Sequence, residues 1–596
     1  MPCRIRGTPL SDRSICYVVS APRPAGHLLH VTARFRGDPL PEPLVVAMPV
    51  WTPGSYLVRE FARHVESLSA RTPEGTAGVR KLRKNAWAIA HGGATEVTVE
   101  YDVYAHDLTV RTNHVDDTHV YFNGAATFLR PVSESDGWDG LPCALEVRSP
   151  VAGWTVATQL ERVAEGSYRA VDFDDLVDSP VSVGPHEVLG FRAAEREHQI
   201  AVWGRAPRMD PARLTRDLGR VVDTEVQLFG SAPYDRYTFL LMLSPGGRGG
   251  LEHTRSCALL ASPDAFETEE GYHDVLALIA HEFFHLWHVK RTRPAGVSPY
   301  DYDRENHTRL LWLFEGGTSY YDWLVLRRAE LVTVHAYLKH LAAELTRLED
   351  TPGRAMCSLE DASFDAWTRL YRPDENTVNS SVSYYLKGEL ACALLDLEIR
   401  ARSGGRRSMD DVMRHLWEHH GRVDRPVPES GVEALFAAAT ELDLSDVLDA
   451  CVRTTEPLPF EAALAHAGLG VRRRPGRGAS LGVRMRAEPG RAIVASVLRG
   501  GAGDRAGLAP GDEILGVDRR RVDDATLRER LKRSRGGEAV TLLVARREAL
   551  GDYPVTLDDA PPEGMEIAPL ADASPAARAL ALAWLGETAA GLWSGR

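Results

Sequence analysis

Nowhere in the 596 residues does an apolar run reach the roughly 18 to 20 residues that a helix needs to cross a bilayer. No membrane-spanning segment and no membrane partner are therefore expected. Cysteine is scarce, and the seven present (Cys3, Cys16, Cys143, Cys257, Cys357, Cys392 and Cys451) form no CxxC pair and leave one over. They read as reduced, mostly structural thiols. A basic excess is also missing: 70 Lys and Arg stand against 83 Asp and Glu, a formal charge of −13 with no long basic run, which argues against nucleic-acid partners and mildly favours cationic substrates. The apolar stretch from Ile15 to Val19 is too short for a signal-peptide core, so a cytoplasmic protein is expected. No solenoid-type repeat is found.

What is present is ordinary for packed cores, with 44% hydrophobic and 26% charged residues. The length exceeds what one core can serve and predicts about three or four domains. From about Gly26 to Arg192 the chain reads as short alternating strands, among them Leu28 to Phe35, Glu96 to Tyr104 and Ser167 to Val171. From about His198 to Pro457 a few strands, such as Tyr237 to Leu243, give way to helices. These are predicted at Tyr272 to Val289, Arg309 to Arg328, Leu331 to Leu348 and Val382 to Arg400. The basic stretch Arg472 to Gly478 reads as a linker or strand entry, and a last helix, opened by Pro575, is predicted over Ser574 to Leu585.

Chemistry concentrates in His281-Glu282-Phe283-Phe284-His285. On a helix, two histidines four apart point to one side and can bind a single cation, while Glu282 beside them can act as general base and later hand the proton to a leaving amine. A catalytic zinc set needs a third protein ligand. Glu315 is the best candidate, because it sits in the apolar run Leu310 to Gly317, where an ionised carboxylate is costly unless a cation meets it. Two His and one Glu suit a single Zn2+ per chain. Asp322, seven residues on, either orients a ligand histidine or serves as an ordinary surface or capping residue. His288 is read as structural or substrate-facing, since the ligand set is complete without it.

These residues carry a family resemblance. Trp51-Thr52-Pro53-Gly54-Ser55-Tyr56, Gly249-Gly250-Leu251-Glu252-His253, the HEFFHLWHVKR run, Leu311 to Tyr321 and Ser383 to Gly388 together resemble the glycyl aminopeptidases, a PDZ-bearing family of gluzincin zinc metallopeptidases. The resemblance implies a multidomain α+β protein. Its parts would be an N-terminal all-β domain (1–195), a thermolysin-like, mostly helical catalytic domain (196–460), a small β-rich PDZ domain (470–558) and a C-terminal tail with a short helix (559–596). It also implies that Glu252, on an edge strand, holds the substrate's free α-amino group, with Gly249 and Gly250 letting substrate backbone approach. Tyr385 rather than Tyr384 would face the oxyanion, since relatives place their tyrosine three residues before the glycine. One departure is His288, where the family usually has Asn.

Ser480 to Val483 and Gly503 to Leu515 resemble a bacterial protease-associated PDZ domain. Leu481, Gly482 and Val483 would form its carboxylate loop, a candidate for capturing C-terminal peptides. The function implied is a zinc aminopeptidase acting on peptides or proteins with a free N-terminus and preferring Gly or Ala. Two alternatives stand beside it: a PDZ-assisted endopeptidase of the same clan, and a non-catalytic PDZ scaffold.

Overall fold

The computed structural model describes residues 13–132 and 137–594; Cys3 lies outside them. All six described cysteines are free thiols, five of them buried. The chain forms two compact units. One holds the described residues up to Asn306 together with Leu416–Val427, and the other holds His307–His415 with Pro428 onward. No described helix is long and apolar enough to cross a membrane.

The first unit begins with an eleven-stranded sheet. Strict alternation in Leu28–Arg36 buries Leu29, Val31, Ala33 and Phe35 on one face, and this strand runs antiparallel between Ser14–Ser20 and Glu96–Tyr104. The strand expected at Ser167 to Val171 is found at Ser167–Ala170. A five-stranded sheet follows, in the order Glu187–Ala193, Arg196–Trp203, Arg236–Leu243, Ser256–Ala261, Arg248–Glu252. Its three middle strands are parallel, and the helix Pro211–Phe229 makes the crossover that the first parallel pair requires. Asp210 caps that helix at the Ala212 and Arg213 N–H groups, and Gly230 ends it at φ 76°. Strand Arg248–Glu252 pairs antiparallel with Ser256–Ala261 and forms the free edge.

The HExxH helix covers Glu269–Phe284, opened by the Thr268 side chain on Gly271 N–H. It is shorter than the predicted Tyr272 to Val289. Beyond Phe284 the Leu286 and Trp287 N–H groups bond three residues back, and Lys290 N–H closes onto the His285 carbonyl, so the chain turns out of the helix. Val289, at φ 153°, is a β-branched residue in a backbone region that such residues rarely adopt.

In the second unit the predicted helix Arg309 to Arg328 is two segments, Leu311–Phe314 and Gly316–Arg328, with Glu315 at the junction. The other helices are Val334–Glu349 and Tyr384–Ser403. Gly316–Arg328 and Tyr384–Ser403 meet backbone to backbone, since a Cβ on Gly316 would stand 2.5 Å from the Gly388 Cα. Asp396, fully buried, accepts from Tyr320 Oη (2.6 Å), Arg400 Nε (3.1 Å) and Met409 N (2.8 Å). The C-terminal helix Pro575–Leu585 returns to this core, where Trp584 Nε1 donates to Tyr320 Oη at 2.9 Å.

The PDZ region is thus an insertion in the helical unit. Strands Leu469–Arg474 and Gly564–Pro569 pair antiparallel at its neck, so the basic stretch begins as strand over Arg472 to Arg474 and leaves it at Pro475. It has its own core around Val494, Ile514 and Val544. Asn379 fixes it to the helices, donating to the Val497 carbonyl at 2.8 Å and accepting from Arg499 N at 2.9 Å.

Candidate active site

In the first unit, the HExxH helix places the His281 and His285 ring centroids 4.7 Å apart. His285 Nδ1 bonds to the His288 carbonyl at 2.9 Å, so the proton sits on Nδ1, the tautomer that suits a metal-ligating imidazole. His288 therefore contributes its backbone oxygen, and its side chain is buried. Glu282 is buried, and its carboxyl is pushed up to about 7 by burial and by Glu252, against the pull of the two imidazoles and Arg111. Donor atoms of Glu252, Glu282 and His285 lie within 4.8 Å of one another. One oxygen each of Glu252 and Glu282 is buried without a protein hydrogen-bond partner. The two imidazoles on one helix offer nitrogen donors that suit a divalent cation such as zinc, beside two buried carboxylates.

Glu252 closes the edge strand, and the turn at Gly54 confines it. Gly54, at φ 86° in the Trp51 to Tyr56 turn, packs so closely that a Cβ there would overlap the Glu252 carboxylate. Gly250 is packed the same way under the Glu282 carboxylate, while Gly249 sits at φ 149°. Past Glu252, Asp178 holds the strand exit: its carboxylate takes Lys290 Nζ at 2.7 Å, His253 Nδ1 at 3.3 Å and Thr254 N at 2.7 Å. Burial alone would raise Asp178, but Lys290 and His253 outweigh it and hold the carboxyl well below the usual carboxylate range. Lys290 and Asp178 thus tie the segment after HExxH to the strand that carries Glu252. For Gly54→Ala, the added methyl must displace the Glu252 carboxylate and strain the turn. The expected result is a KM for free-amine peptides raised about tenfold or more with a smaller change in kcat. Unchanged steady-state constants would mean that the turn does not shape this site.

In the second unit, Glu315 is buried at the helix junction, its N–H bonded to the Leu311 carbonyl at 2.7 Å. Tyr385 lies near it: burial first, and then the Glu315 charge, push the Tyr385 hydroxyl well above its ordinary value. At this acidity the phenol stays protonated and can donate. Its oxygen is 3.0 Å from Tyr371 Oη, a partner with no signal in the sequence. Tyr384, stacked on Tyr385 with centroids 4.7 Å apart, is fully buried in the helix packing. The charge of Asp322 is felt by His340, Glu344 and Tyr337 of the neighbouring helix.

In the PDZ loop, Gly482 adopts φ 63° and its N–H donates to Ser480 Oγ at 3.0 Å. The carbonyls of Leu481 and Gly482 accept from Gly503 N and Leu498 N, and Val483–Arg486 is an edge strand. Asp178, Gly54, Lys290, Arg111 and Tyr371 were not singled out as site residues from sequence. Only Gly54 and Lys290 fall in stretches quoted for the resemblance.

Three family models match: the peptidase M61 N-terminal domain over residues 16–185, the M61 glycyl aminopeptidase over 274–391 and the PDZ domain over 470–545. A solved aminopeptidase N family protein from Idiomarina loihiensis is 30% identical, with a TM-score of 0.90, covering 96% of this chain and 100% of that one. An M1 zinc metallopeptidase from Deinococcus radiodurans is 14% identical at TM-score 0.47, covering 75% of this chain and 96% of its own. Yeast LTA4 hydrolase in complex with bestatin is 12% identical at TM-score 0.45, covering 78% and 73%. No curated protein matches the sequence. Fold and site together define a zinc metallopeptidase of the aminopeptidase type. The chain belongs to the M61 glycyl aminopeptidase family.

Proposed function

We propose that this chain is an aminopeptidase that releases small N-terminal residues, Gly or Ala, from peptides, with one zinc held by His281, His285 and Glu315. The observation that carries this reading is the buried Glu252 carboxylate on a free sheet edge, beside Glu282 and backed by Gly54. A carboxylate there binds the substrate ammonium and leaves no room for chain on its far side, which sets exopeptidase register. The preference for small residues follows from the family.

When bound, zinc polarises the scissile carbonyl and acidifies water. Glu282 accepts the proton of the attacking water and delivers it to the leaving amine. Tyr385, protonated throughout, donates its O–H to the oxyanion. Tyr371 is placed to hold that phenol in position. Asp322 is proposed only to bias charge on its side of the helices, and the 481–483 loop to seat an extended peptide beside Val483–Arg486. In domain terms, the reading keeps a β domain (1–195), a catalytic domain (196–460), an inserted PDZ domain (470–558) and a C-terminal segment (559–596).

Paired peptides that differ only in N-acetylation test this. Free Ala-Ala peptides are expected to be cleaved about a hundredfold or more faster than acetylated ones, and Glu252→Gln should collapse that ratio through KM. Equal cleavage of both forms would replace this reading with an endopeptidase.

A further inference from the structure

The helix that carries Tyr385 is entered through a short path. Thr377–Ser380 forms one helical turn, Ser381 to Ser383 connect, and Tyr384–Ser403 begins, so Tyr385 is the second residue of its helix. The first N–H groups of a helix have no partner inside it, and the direction of the first turn is therefore set by the chain that leads in. Leu386 N donates to Ser383 Oγ at 3.3 Å, and the Gly316–Gly388 contact seats the helix one turn further on. Whatever holds 377–383 therefore aims the Tyr385 side chain.

Asn379 is the tie. It is buried, and both ends of its amide reach the PDZ region: Nδ2 donates to the Val497 carbonyl at 2.8 Å, and Oδ1 accepts from Arg499 N at 2.9 Å. A primary amide offers a donor and an acceptor as a peptide group does, so Asn379 meets the end of strand Ile493–Val497 as a neighbouring strand would. That strand end is itself fixed. Leu498 N donates to the Gly482 carbonyl at 2.8 Å, and Gly501 N closes a turn onto the Leu498 carbonyl at 3.0 Å. With Arg499 at negative φ and Gly500 at φ 77°, this is a type II turn. A second contact runs beside it. Arg484 Nη2, in the PDZ edge strand, donates to the Asp350 carbonyl at 3.0 Å, and three residues on, Gly353 packs so closely that a Cβ there would overlap the Ser381 carbonyl. The PDZ region thus grips the entry segment directly through Asn379 and indirectly through the Asp350 to Gly353 turn.

We propose that Asn379 is a positioning residue for Tyr385: it makes the PDZ region a structural part of the active site, holding the entry segment so that the phenol meets the oxyanion. This rests on the reading of Tyr385 as the oxyanion donor. A loosened segment leaves the zinc ligands and Glu252 in place but presents the phenol out of line as charge develops. A misplacement of about 1 Å can cost up to about a hundredfold in rate. Because the phenol acts on the transition state, the loss belongs in kcat and not in KM.

The test is a double-mutant cycle on Ala-Ala turnover in the zinc-loaded full chain. Tyr385→Phe is expected to lower kcat about 10²- to 10³-fold. Asn379→Ala should lower kcat about 5- to 20-fold with KM within about twofold of wild type. Added to Tyr385→Phe, it should change kcat less than about twofold, because no phenol remains to be aimed. Arg499→Pro repeats the loss from the PDZ side, since proline suits the second position of a type II turn and removes the N–H that Asn379 accepts. Arg499→Ala, which gives up the same exposed side chain but keeps the N–H, should match wild type. Melting curves and zinc content establish that each variant is folded and loaded, and the Arg499 pair carries the cycle if Asn379→Ala is not. A folded Asn379→Ala or Arg499→Pro variant with wild-type kcat, or a loss of the same factor with and without Tyr385→Phe, overturns the role of Asn379 and leaves the aminopeptidase reading standing. Undiminished kcat in Tyr385→Phe removes the oxyanion role and this proposal with it.

Discussion

Glu282→Gln is expected to lower kcat by about 10² to 10⁴ while leaving zinc content and the melting curve close to wild type. The substitution keeps the shape and removes only the capacity to accept a proton. The setting makes that capacity consequential: Glu282 is buried, packs against Gly250 of the edge strand and keeps one oxygen without a protein partner. An amide can still bond to neighbours, so substrate binding should survive and the loss should fall in kcat and kcat/KM alike. Stopped-assay turnover of Ala-Ala, with zinc quantified in the same sample, checks it. Full turnover in the Gln variant would remove Glu282 from the base role.

Removing the metal should have the other large effect. Chelation is expected to reduce turnover on the order of a thousandfold or more, with recovery on adding one equivalent of zinc. Stability should respond as well. Without a cation, the buried donor atoms of Glu252, Glu282 and His285, all within 4.8 Å of one another, lose the charge that offsets the clustered carboxylates. A ligand at a hundred times its Kd adds about 2.7 kcal/mol to the state that binds it, so the chelated protein should melt earlier in a fluorimetric scan. Identical melting curves with and without chelator, together with full activity, would exclude a metal at this site.

Much of this was legible in the sequence because the signals are local. HExxH needs only helical spacing, and the thirty-residue step to Glu315 lands on a carboxylate that an apolar run cannot otherwise tolerate. The alternation in Leu28–Arg36 and Glu96–Tyr104 likewise announces strands with one buried face. What escaped depends on residues far apart in the chain. Asp178 reaches Lys290 and Thr254 across 112 and 76 positions, and Arg111 reaches Gly250 across 139. No spacing rule encodes such pairs. The helix end after Phe284 was missed for a related reason: HLWHV is apolar enough to continue a helix, but Lys290, tied to Asp178, draws the chain aside.

The touching glycines Gly316 and Gly388 have a mechanical consequence. Side chains normally cushion two helices and let them slide by changing rotamers, but here bare backbone rests on bare backbone and no cushion exists. Glu315 precedes one glycine, and Tyr385 stands one turn before the other. The contact therefore acts as a fulcrum close to both groups, where any rocking of the helices moves them least. Acid and phenol keep their mutual spacing even when the rest of the bundle breathes.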